Sequence, residues 1–367
     1  MTGSAHLTVW DLTLTTRSPL YVGSGSACAK TDYIFDPRSE TVRMLDPEAL
    51  FRWLYARRLA DRYESFILSG DTRMFRFLKD CGITDRELDS LCLYRVSAAD
   101  ALDDSHSLKE LHTFLRDSEN RAYVPGSSVK GALRTAILVS LMAREKKGVW
   151  PDDPKKNERA WQMQTLEGRY LNTLPLKRDR DGNLVNDPVN SILRGISISD
   201  SGPVSDADMI LVGKIDANKK GECRKLPLCR ECIRPGTELR FKLTTDSSVL
   251  PKAYSVETLV QMIKSFDRYY QETYLSRFAL PQDAHAVSYQ DALILGGGAG
   301  FFAKNLAYPY LGMEKSLHYT QKNMEEQFRR HGHEKDGTEH GISPHTMKYG
   351  RYRGQLYPYG VCGVQIT

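Results

Sequence analysis

The chain has 367 residues, of which 41% are hydrophobic and 26% are charged, and its formal net charge is +5. That length suffices for two domains of ordinary size with a sizeable core, and the composition is typical of a soluble globular protein. No stretch approaches the roughly 20 apolar residues of a membrane span, and residues 1–16 lack the basic and apolar regions of a secretory signal, so we expect a cytoplasmic protein with no membrane partner.

The net charge and the cysteines limit the partners and the chemistry. The excess of basic residues permits a polyanionic partner, but it does not demand one because the basic residues are spread along the chain. Seven cysteines, an odd number in a chain of this length, do not indicate a disulfide framework. We expect reduced thiols, as in a cytosolic protein.

Strand patterns begin the chain. Alternating apolar and polar residues predict a strand at 6–16, and the glycine- and serine-rich segment 18–27 predicts a turn. Segments 31–36 and 41–45 predict a hairpin.

Helix-start signals follow the hairpin. Asp46 in the N-cap position before Pro47 predicts a helix that continues to residue 63. The sequences TDRE at 84–87 and SLKE at 107–110 both match a capping box and predict two short helices.

The remaining two thirds of the chain mix strands and helices. A helix is predicted at 129–148, capped by the serines before it and ended by Gly148 and Pro151. Residues 150–190 are polar, and we interpret them as a partly mobile insertion. Strands before and after helices indicate an α+β fold. The later predictions are strands at 191–200, 208–216, 237–245 and 359–367, a strand entering a glycine loop at 291–305, and helices at 316–331 and 255–278, the latter with Leu259, Ile263, Phe266, Tyr270 and Tyr274 on its buried face.

The segment PGSSVKGALRT at 125–135 has the composition of a phosphate-binding loop. Gly126 and Gly131 have the separation of a P-loop, but Lys130 precedes the second glycine and no serine or threonine is placed to hold magnesium. The sequence therefore argues against a nucleotide hydrolase.

Anion binding of another kind remains compatible with this segment. Unpaired N–H groups at a helix N-terminus favour an anion, and Ser127 and Ser128 lie there. Lys130 and Arg134 are four residues apart and share one face of the helix. The alternative is a capped helix that carries two solvated basic residues.

A second loop, LGGGAGFFAKN at 295–305, allows close backbone approach. It does not satisfy the dinucleotide-binding pattern, and no ribose-binding acid follows in a suitable unit. Glycines beside Phe301, Phe302 and Lys304 suit a chain of phosphates with stacked bases. The alternative is a tight turn with a phenylalanine pair in the core.

Four motifs in this order carry a resemblance to a known family: 14–26, 123–138, 295–305 and 342–366. Together they resemble the RAMP superfamily of CRISPR systems and, within it, the guide-capping subunits of type III-A (Csm) effector complexes. The resemblance extends from about residue 7 to 366, with weak coverage of 60–105 and 150–190.

The resemblance implies two ferredoxin-like (RRM-like) domains, at 1–235 with insertions at about 60–120 and 150–190, and at 236–367. It implies a non-catalytic subunit, without a cofactor, that caps the 3′ end of the guide RNA (crRNA) and the end of the backbone filament, supporting crRNA maturation and antiviral defence. The implied partners are crRNA, the other Csm RAMP subunits, target RNA indirectly, and host nucleases. The RNA-binding residues carried over from the motifs are Ser127, Ser128, Lys130, Arg134, Gly297, Gly298, Gly300, Lys304, Gly23, Ser24 and Gly25.

An enzyme remains the alternative function: a metal-independent endoribonuclease that processes guide precursors and needs a histidine near a bound phosphate. The tract at 331–345 could supply a metal cluster or an acid–base pair, although a tract so rich in glycine and polar residues is typically a solvated loop. Its candidate residues are His331, His333, Glu334, Asp336, Glu339, His340 and His345.

A third possibility is a zinc-stabilised scaffold. Cys223, Cys229 and Cys232 lie close in sequence, but they contain a single C-x-x-C pair, and a histidine from elsewhere would have to complete the site. The alternative is that Cys229 and Cys232 flank a strand edge.

Overall fold

The computed structural model of the protein describes residues 6–102, 108, 110–145, 147–149 and 156–367. In this part of the chain, strands and helices alternate irregularly, which confirms the α+β class. The strands are β1 Leu7–Thr16, β2 Gly23–Cys28, β3 Tyr33–Asp36, β4 Thr41–Leu45, β5 Cys92–Ser97, β6 Glu110–Phe114, β7 Ile196–Ile198, β8 Met209–Asn218, β9 Cys223–Ile233, β10 Glu238–Asp246, β11 Ala292–Ile294, β12 Thr346–Tyr352, β13 Gln355–Pro358 and β14 Val361–Ile366.

The helices lie between these strands, and a single π-helical turn, Asp336–His340, follows the last of them. None of the described helices combines the length and apolar character that a membrane crossing needs. The α-helices are α1 Pro47–Ala56, α2 Ala60–Leu68, α3 Met74–Asp80, α4 Asp85–Ser90, α5 Gly126–Arg144, α6 Lys156–Leu171, α7 Val256–Thr273, α8 Ala307–Leu311 and α9 Met313–Gln327.

A five-stranded antiparallel sheet has the order β11-β14-β1-β10-β7. Its central strand, β1, places Leu12 opposite Phe241 of β10, and Leu14 opposite Val364 of β14. The first and last strands of the chain are therefore neighbours, and the predicted strands at 6–16 and 359–367 are confirmed.

A larger, mixed sheet has the order β2-β6-β9-β8-β5-β4-β3, and the β12–β13 hairpin joins it through β8. The β6–β9 and β5–β8 pairs are parallel, and the β8–β9 and β12–β8 pairs are antiparallel. β2 lies at one end of this sheet.

Each sheet contains strands from both sides of residue 235. β1 and β7 pair with β10 in the smaller sheet, and β8 pairs with β12 in the larger one. The division into ferredoxin-like domains at 1–235 and 236–367 stays a prediction.

One large hydrophobic core joins residues of both sheets with α5 and α7. α5 and α7 pack on each other and on β11. A second, smaller core is built by α1–α4 against Ile34 of β3 and Leu45 of β4. The five residues predicted for the buried face of the helix at 255–278 are all buried, although α7 ends at Thr273, one residue before the last of them: Leu259, Ile263, Phe266, Tyr270 and Tyr274.

Local signals predicted several helix starts. The Asp46 side chain accepts from the Glu48 N–H ahead of α1, and Thr84 with Glu87 completes a capping box ahead of α4. The helix predicted to continue to residue 63 instead breaks, because Arg58 adopts a φ of 57° between α1 and α2.

Two predictions of local structure are wrong. Residues predicted as a turn at 18–27 include most of β2, which pairs with β6. Residues 110–114 form β6 rather than a helix, because β9 offers them a parallel partner; Ser107 and Lys109 lie outside the described residues.

The ends of α5 and the nature of the 150–190 segment also differ from expectation. The N-cap of α5 is Pro125, the serines lie inside its first turn, and the helix ends at Arg144. Residues 156–171 form α6, whose Leu166 and Leu171 are buried in the main core, while 150–155 lie outside the described residues.

Candidate nucleic-acid interface

The N-terminus of α5 is occupied by a side chain of the protein itself. The Gly126 N–H donates to Asp200 Oδ1 at 2.8 Å, so a carboxylate already lies where a helix N-terminus attracts an anion. Gly126 also packs against backbone, since a Cβ there would lie 2.1 Å from the Ile198 carbonyl oxygen.

The two basic residues of this segment also have partners within the chain. Lys130 Nζ donates to the Ile196 carbonyl oxygen at 2.7 Å, and burial lowers the pKa of Lys130. Arg134 forms an ion pair with Glu167 of α6. Ser127 is exposed and Ser128 is half-buried. The role of these four residues in RNA binding stays a prediction, and the structure gives Lys130 and Arg134 structural roles.

The segment 295–300, called the glycine loop below, is held by backbone contacts. The Gly297 N–H donates to the Tyr21 carbonyl oxygen at 2.8 Å, and the Leu295 N–H donates to the Gly360 carbonyl oxygen at the same distance. Gly296 has a φ of 75°, and a Cβ there would lie 2.1 Å from the Tyr21 carbonyl oxygen. Glycine is therefore required where the loop crosses residue 21.

Tyr21 also connects the glycine loop with the predicted residues at 23–25. A Cβ on Gly23 would lie 2.3 Å from the Tyr21 hydroxyl oxygen. Thus the structure brings together the first and the third of the three predicted loops, whereas Lys130 is directed to β7.

Gly23, Ser24 and Gly25 lie on β2, an exposed strand at the end of the larger sheet. The Ser24 hydroxyl lies 2.7 Å from the Thr113 hydroxyl, and the register shifts between Gly23 and Ala27. Such a bulge is a common way to limit pairing along a free sheet edge.

The two phenylalanines after the glycine loop have different environments. Phe302 is buried and stacks on Tyr274 with ring centroids 4.5 Å apart. For this residue the structure agrees with the alternative interpretation, in which the phenylalanines belong to the core. Phe301 is half-buried and lines a cavity. Lys304 is exposed, and among the described residues it forms no ion pair.

An arginine that the sequence analysis missed lies behind the glycine loop. The Arg230 guanidinium lies 5.1 Å from the ring centroid of Tyr21 and 5.5 Å from that of Tyr359. A Cβ on Gly298 would lie 2.7 Å from Arg230 Nη1. Arg230 belongs to β9, which was not predicted as a strand, so no pattern connected it with the glycines.

A large cavity opens beside the glycine loop, and we call it the groove. Its volume is about 1020 Å³, and β8, β9, β12, α9 and the residue after the glycine loop contribute to its walls. A Cβ on Gly300 would lie 3.5 Å from Lys348 Cγ, which places the loop against this wall. The groove contains four lysine or arginine side chains and two acidic ones: Lys214, Arg224, Arg330, Lys348, Asp216 and Glu222.

The charges within the groove are partly compensated. Lys348 Nζ forms an ion pair with Asp216 Oδ2 at 2.7 Å. Burial lowers the pKa of Lys214, Asp216 opposes that shift, and the positive charges of Lys348 and Arg230 add to it. Lys214, Lys348 and Arg230 therefore lie close enough to repel one another. An anion bound between them would relieve that repulsion and would be stabilised by all three charges.

A second cavity, of about 520 Å³, shares Lys214 and Leu226 with the groove. Lys225 and Arg351 also line it. The two cavities follow the β8–β9 hairpin side by side, which suits an extended polyanion better than a compact ligand.

The histidine tract at 331–345 is more ordered than a solvated loop. His333 Nδ1–H donates to Asp336 Oδ2 at 3.0 Å, and His345 Nδ1–H donates to Asp336 Oδ1 at 2.6 Å. Asp336 and His333 are buried, and His345 is half-buried. Burial raises the pKa of Asp336, but hydrogen bonds led by that from His345 outweigh it and hold the pKa below its usual value.

The other residues of the tract do not join this cluster. His331, Glu334 and Glu339 are exposed. The His340 ring lies 4.7 Å from the His345 ring, and burial together with the nearby His345 lowers the pKa of His340. His331, His333 and His345 line the groove.

The cysteines do not converge. Cys229 and Cys232 are buried on opposite faces of β9, since they are three residues apart on a strand. Cys223 is exposed, six residues from Cys229 and so roughly 20 Å away along the strand. Cys229 and Cys232 therefore lie within β9 rather than flanking a strand edge, and the three cysteines do not meet at one point.

Comparisons with known proteins agree with the resemblance in the motifs. The RAMP superfamily model matches residues 13–360. The chain is 26% identical over 308 residues to the protein named CRISPR system Cms protein Csm5 of Streptococcus thermophilus, covering 81% of this chain and 80% of that one. It is 29% identical over 268 residues to the protein of the same name from Mycobacterium tuberculosis (strain CDC 1551 / Oshkosh), covering 71% and 68%.

Among solved structures, the fold is similar to a chain of a Csm–crRNA–target RNA ternary complex of a type III-A CRISPR–Cas system. The TM-score is 0.60 at 18% identity, and the match covers 97% of this chain and all of the other. The family match spans nearly the whole chain, and the protein belongs to the RAMP superfamily.

Proposed function

We propose that this protein is the RNA-binding subunit that caps the 3′ end of the crRNA in a type III-A Csm complex. The relatives named Csm5 and the similar chain in a Csm–crRNA–target RNA complex support this assignment. Its partners are then crRNA, the other Csm RAMP subunits at the filament end, and indirectly the target RNA. Recruitment of host nucleases for 3′ trimming belongs to the same proposal.

The observation that carries the proposal is that the glycine loop lies directly against the wall of the groove. The loop presents backbone without side chains next to Lys348, and Arg230 lies directly behind it. Phe301 and Phe328 supply ring surfaces in the groove. Backbone access, positive charge and aromatic rings are the elements with which proteins hold single-stranded RNA without reading its sequence.

We infer a contact surface that retains some of the residues first predicted to bind RNA and adds others. The proposed contact surface contains Gly297, Gly298, Gly300 and Lys304 with the added residues Lys214, Arg230 and Lys348. Gly23, Ser24 and Gly25 border it through Tyr21.

Binding of the purified protein to an unstructured single-stranded RNA tests this function. Lys214→Gln/Lys348→Gln removes two charges from the groove while retaining side-chain bulk, and Lys252→Gln removes an exposed lysine outside it. Since each lost phosphate contact lowers the salt dependence of single-strand binding by about 0.7, the double variant should reduce the slope of log K against log salt by about 1.4. An unchanged slope would contradict RNA binding in the groove.

A second candidate function is the metal-independent endoribonuclease, because His333 and His345 line the same groove. Incubation with a repeat-containing RNA, with and without a chelator, tests it. Chelator-resistant cleavage that disappears in His345→Ala would support the enzyme over the non-catalytic subunit.

A further inference from the structure

Three potential metal ligands converge at the edge of the groove. One ligand atom each from His333, Asp336 and His345 lies within 4.8 Å of the others, and this is the one such group among the described residues. The imidazole centroids of His333 and His345 are 4.9 Å apart. Asp336 lies between them and bridges the two rings through its two carboxylate oxygens.

The backbone around this group is fixed from several directions. The Gln321 side chain of α9 donates to the Glu334 carbonyl oxygen and accepts from the Gly337 N–H. The Tyr308 hydroxyl donates to the carbonyl oxygen of Ser343, two residues before His345. The three side chains therefore have little freedom to separate, which lowers the cost of placing them around an ion.

The donor set selects a class of ion. Two imidazole nitrogens and one carboxylate suit first-row transition metals such as zinc and iron(II), whereas magnesium and calcium prefer oxygen ligands alone. Three protein ligands with a remaining open position are also the usual composition of a non-structural zinc site.

We propose that His333, Asp336 and His345 bind one divalent transition-metal ion, with Zn²⁺ as the simplest occupant. Two of its ligands, His333 and His345, line the groove. The bound ion adds two positive charges to the wall that also carries Lys348. This inference concerns metal binding alone and does not depend on the RNA-binding function.

Ion binding would replace the two hydrogen bonds that hold His333 and His345 against Asp336 in this structure. The Nδ1 atoms that face Asp336 carry the protons of its two hydrogen bonds, so metal ligation at Nδ1 requires the other tautomer, with the proton on Nε2. Each imidazole must present an unprotonated ring nitrogen to the ion.

Zinc titration of the purified full chain, after removal of metal with a chelator, tests the proposal. We expect one Zn²⁺ per chain, and a loss of affinity of at least tenfold in Asp336→Asn and His345→Gln, since loss of even an outer-shell partner typically costs 10- to 100-fold. Titration with Mg²⁺ should give no binding at comparable concentrations.

Matched controls separate this site from other ligands. His318→Gln changes an exposed histidine on α9, and Cys223→Ser removes the one exposed cysteine of the described residues. Both should bind zinc as the unchanged protein does. Co²⁺ bound at the site should give an absorption spectrum without a thiolate charge-transfer band.

Asp336 is buried, so Asp336→Asn could lose zinc binding simply because the variant is less stable. The folding of the variants is therefore measured separately from their zinc affinity. His345→Gln changes a half-buried residue and should retain the circular dichroism spectrum of the unchanged protein. Zinc should raise the melting temperature of the unchanged protein and of His318→Gln, but not that of His345→Gln. Absence of zinc binding by the unchanged protein, or equal binding by His345→Gln, would overturn the proposal.

Discussion

The backbone N–H of Gly297 donates a hydrogen bond to the carbonyl oxygen of Tyr21 at 2.8 Å. This contact joins the glycine loop to the segment that leads into β2. The Tyr21 ring, on the other side, lies 5.1 Å from the Arg230 guanidinium. Tyr21, which lies within the first motif but was not among the predicted RNA-binding residues, thus connects two glycine-rich segments with the cation behind them.

The crossing at Tyr21 predicts a strong effect of Gly296→Ala. Alanine at a φ of 75° is strained, and its Cβ would lie 2.1 Å from the Tyr21 carbonyl oxygen, which is backbone. We expect the free energy of unfolding to fall by more than about 2 kcal/mol. Gly202→Ala is the matched control, because its Cβ meets nothing within 4 Å and its φ is not positive. Equal stability of the two variants in chemical denaturation would show that the loop does not need glycine there.

Lys130→Ala should reduce stability rather than RNA affinity. The variant loses the hydrogen bond to the Ile196 carbonyl oxygen, and about 1 kcal/mol of the free energy of unfolding should be lost with it. RNA affinity measured at a temperature well below the melting transition should stay within twofold. A large loss of affinity in a fully folded variant would restore Lys130 to the binding surface.

Lys304→Ala should behave in the opposite way. Lys304 is exposed at the end of the segment that follows the glycine loop, so its removal should leave the melting temperature unchanged. We expect the salt slope of single-stranded RNA binding to fall by about 0.7, the share of one phosphate contact. Lys252→Ala provides the comparison at an exposed site outside the groove, and identical slopes for both variants would contradict a contact at Lys304.

The capping box of α4 predicts a pH-dependent contribution to stability. Hydrogen bonds from the Thr84 backbone and hydroxyl, with further ones from Arg57 and Trp53, lower the pKa of Glu87 from 4.5 to about 2. Because the folded-state pKa is depressed, the contribution is present above pH 4.5 and is lost as the pH falls towards 2.

Comparison of the unchanged protein with Glu87→Gln across that range measures this contribution. The melting temperature of the variant should be lower at pH 7, and the difference should shrink as the pH falls from 4.5 towards 2. Thr84→Ser retains the capping hydroxyl and serves as the control. A difference that grew on acidification would contradict the direction of the pKa shift.

The sequence predicted those elements in which the spacing of apolar residues matches the buried face of the strand or helix. β1 alternates along a sheet with one buried face, and α7 buries one stripe, so both patterns are visible locally. β6 was assigned as a helix because Ser107 and Glu110 have capping-box spacing, whereas pairing with β9 decides the structure. β9 itself contains Pro227 and several charged residues, which do not favour a strand locally. It forms a strand because it pairs with β6 on one side and with β8 on the other.

The candidate site was predictable in part for similar reasons. Backbone glycines carry a sequence signal, and the glycine loop was found from it. Lys348 approaches Lys214 only because β12 pairs with the distant strand β8, and Arg230 approaches Lys214 because β9, which was not predicted, pairs with β8. His333, Asp336 and His345 were recognised as candidates, but a tract so rich in polar residues gave no reason to expect that a π-helical turn would bury Asp336.

Affinity purification of the tagged protein from its host, followed by extraction of bound nucleic acid and partners, tests the central claim most directly. We expect short RNAs with a common 5′ repeat-derived tag and trimmed 3′ ends, together with several RAMP proteins, and markedly less RNA with Lys214→Gln/Lys348→Gln than with Lys252→Gln. Recovery of the protein without RNA and without partners would contradict the proposed function.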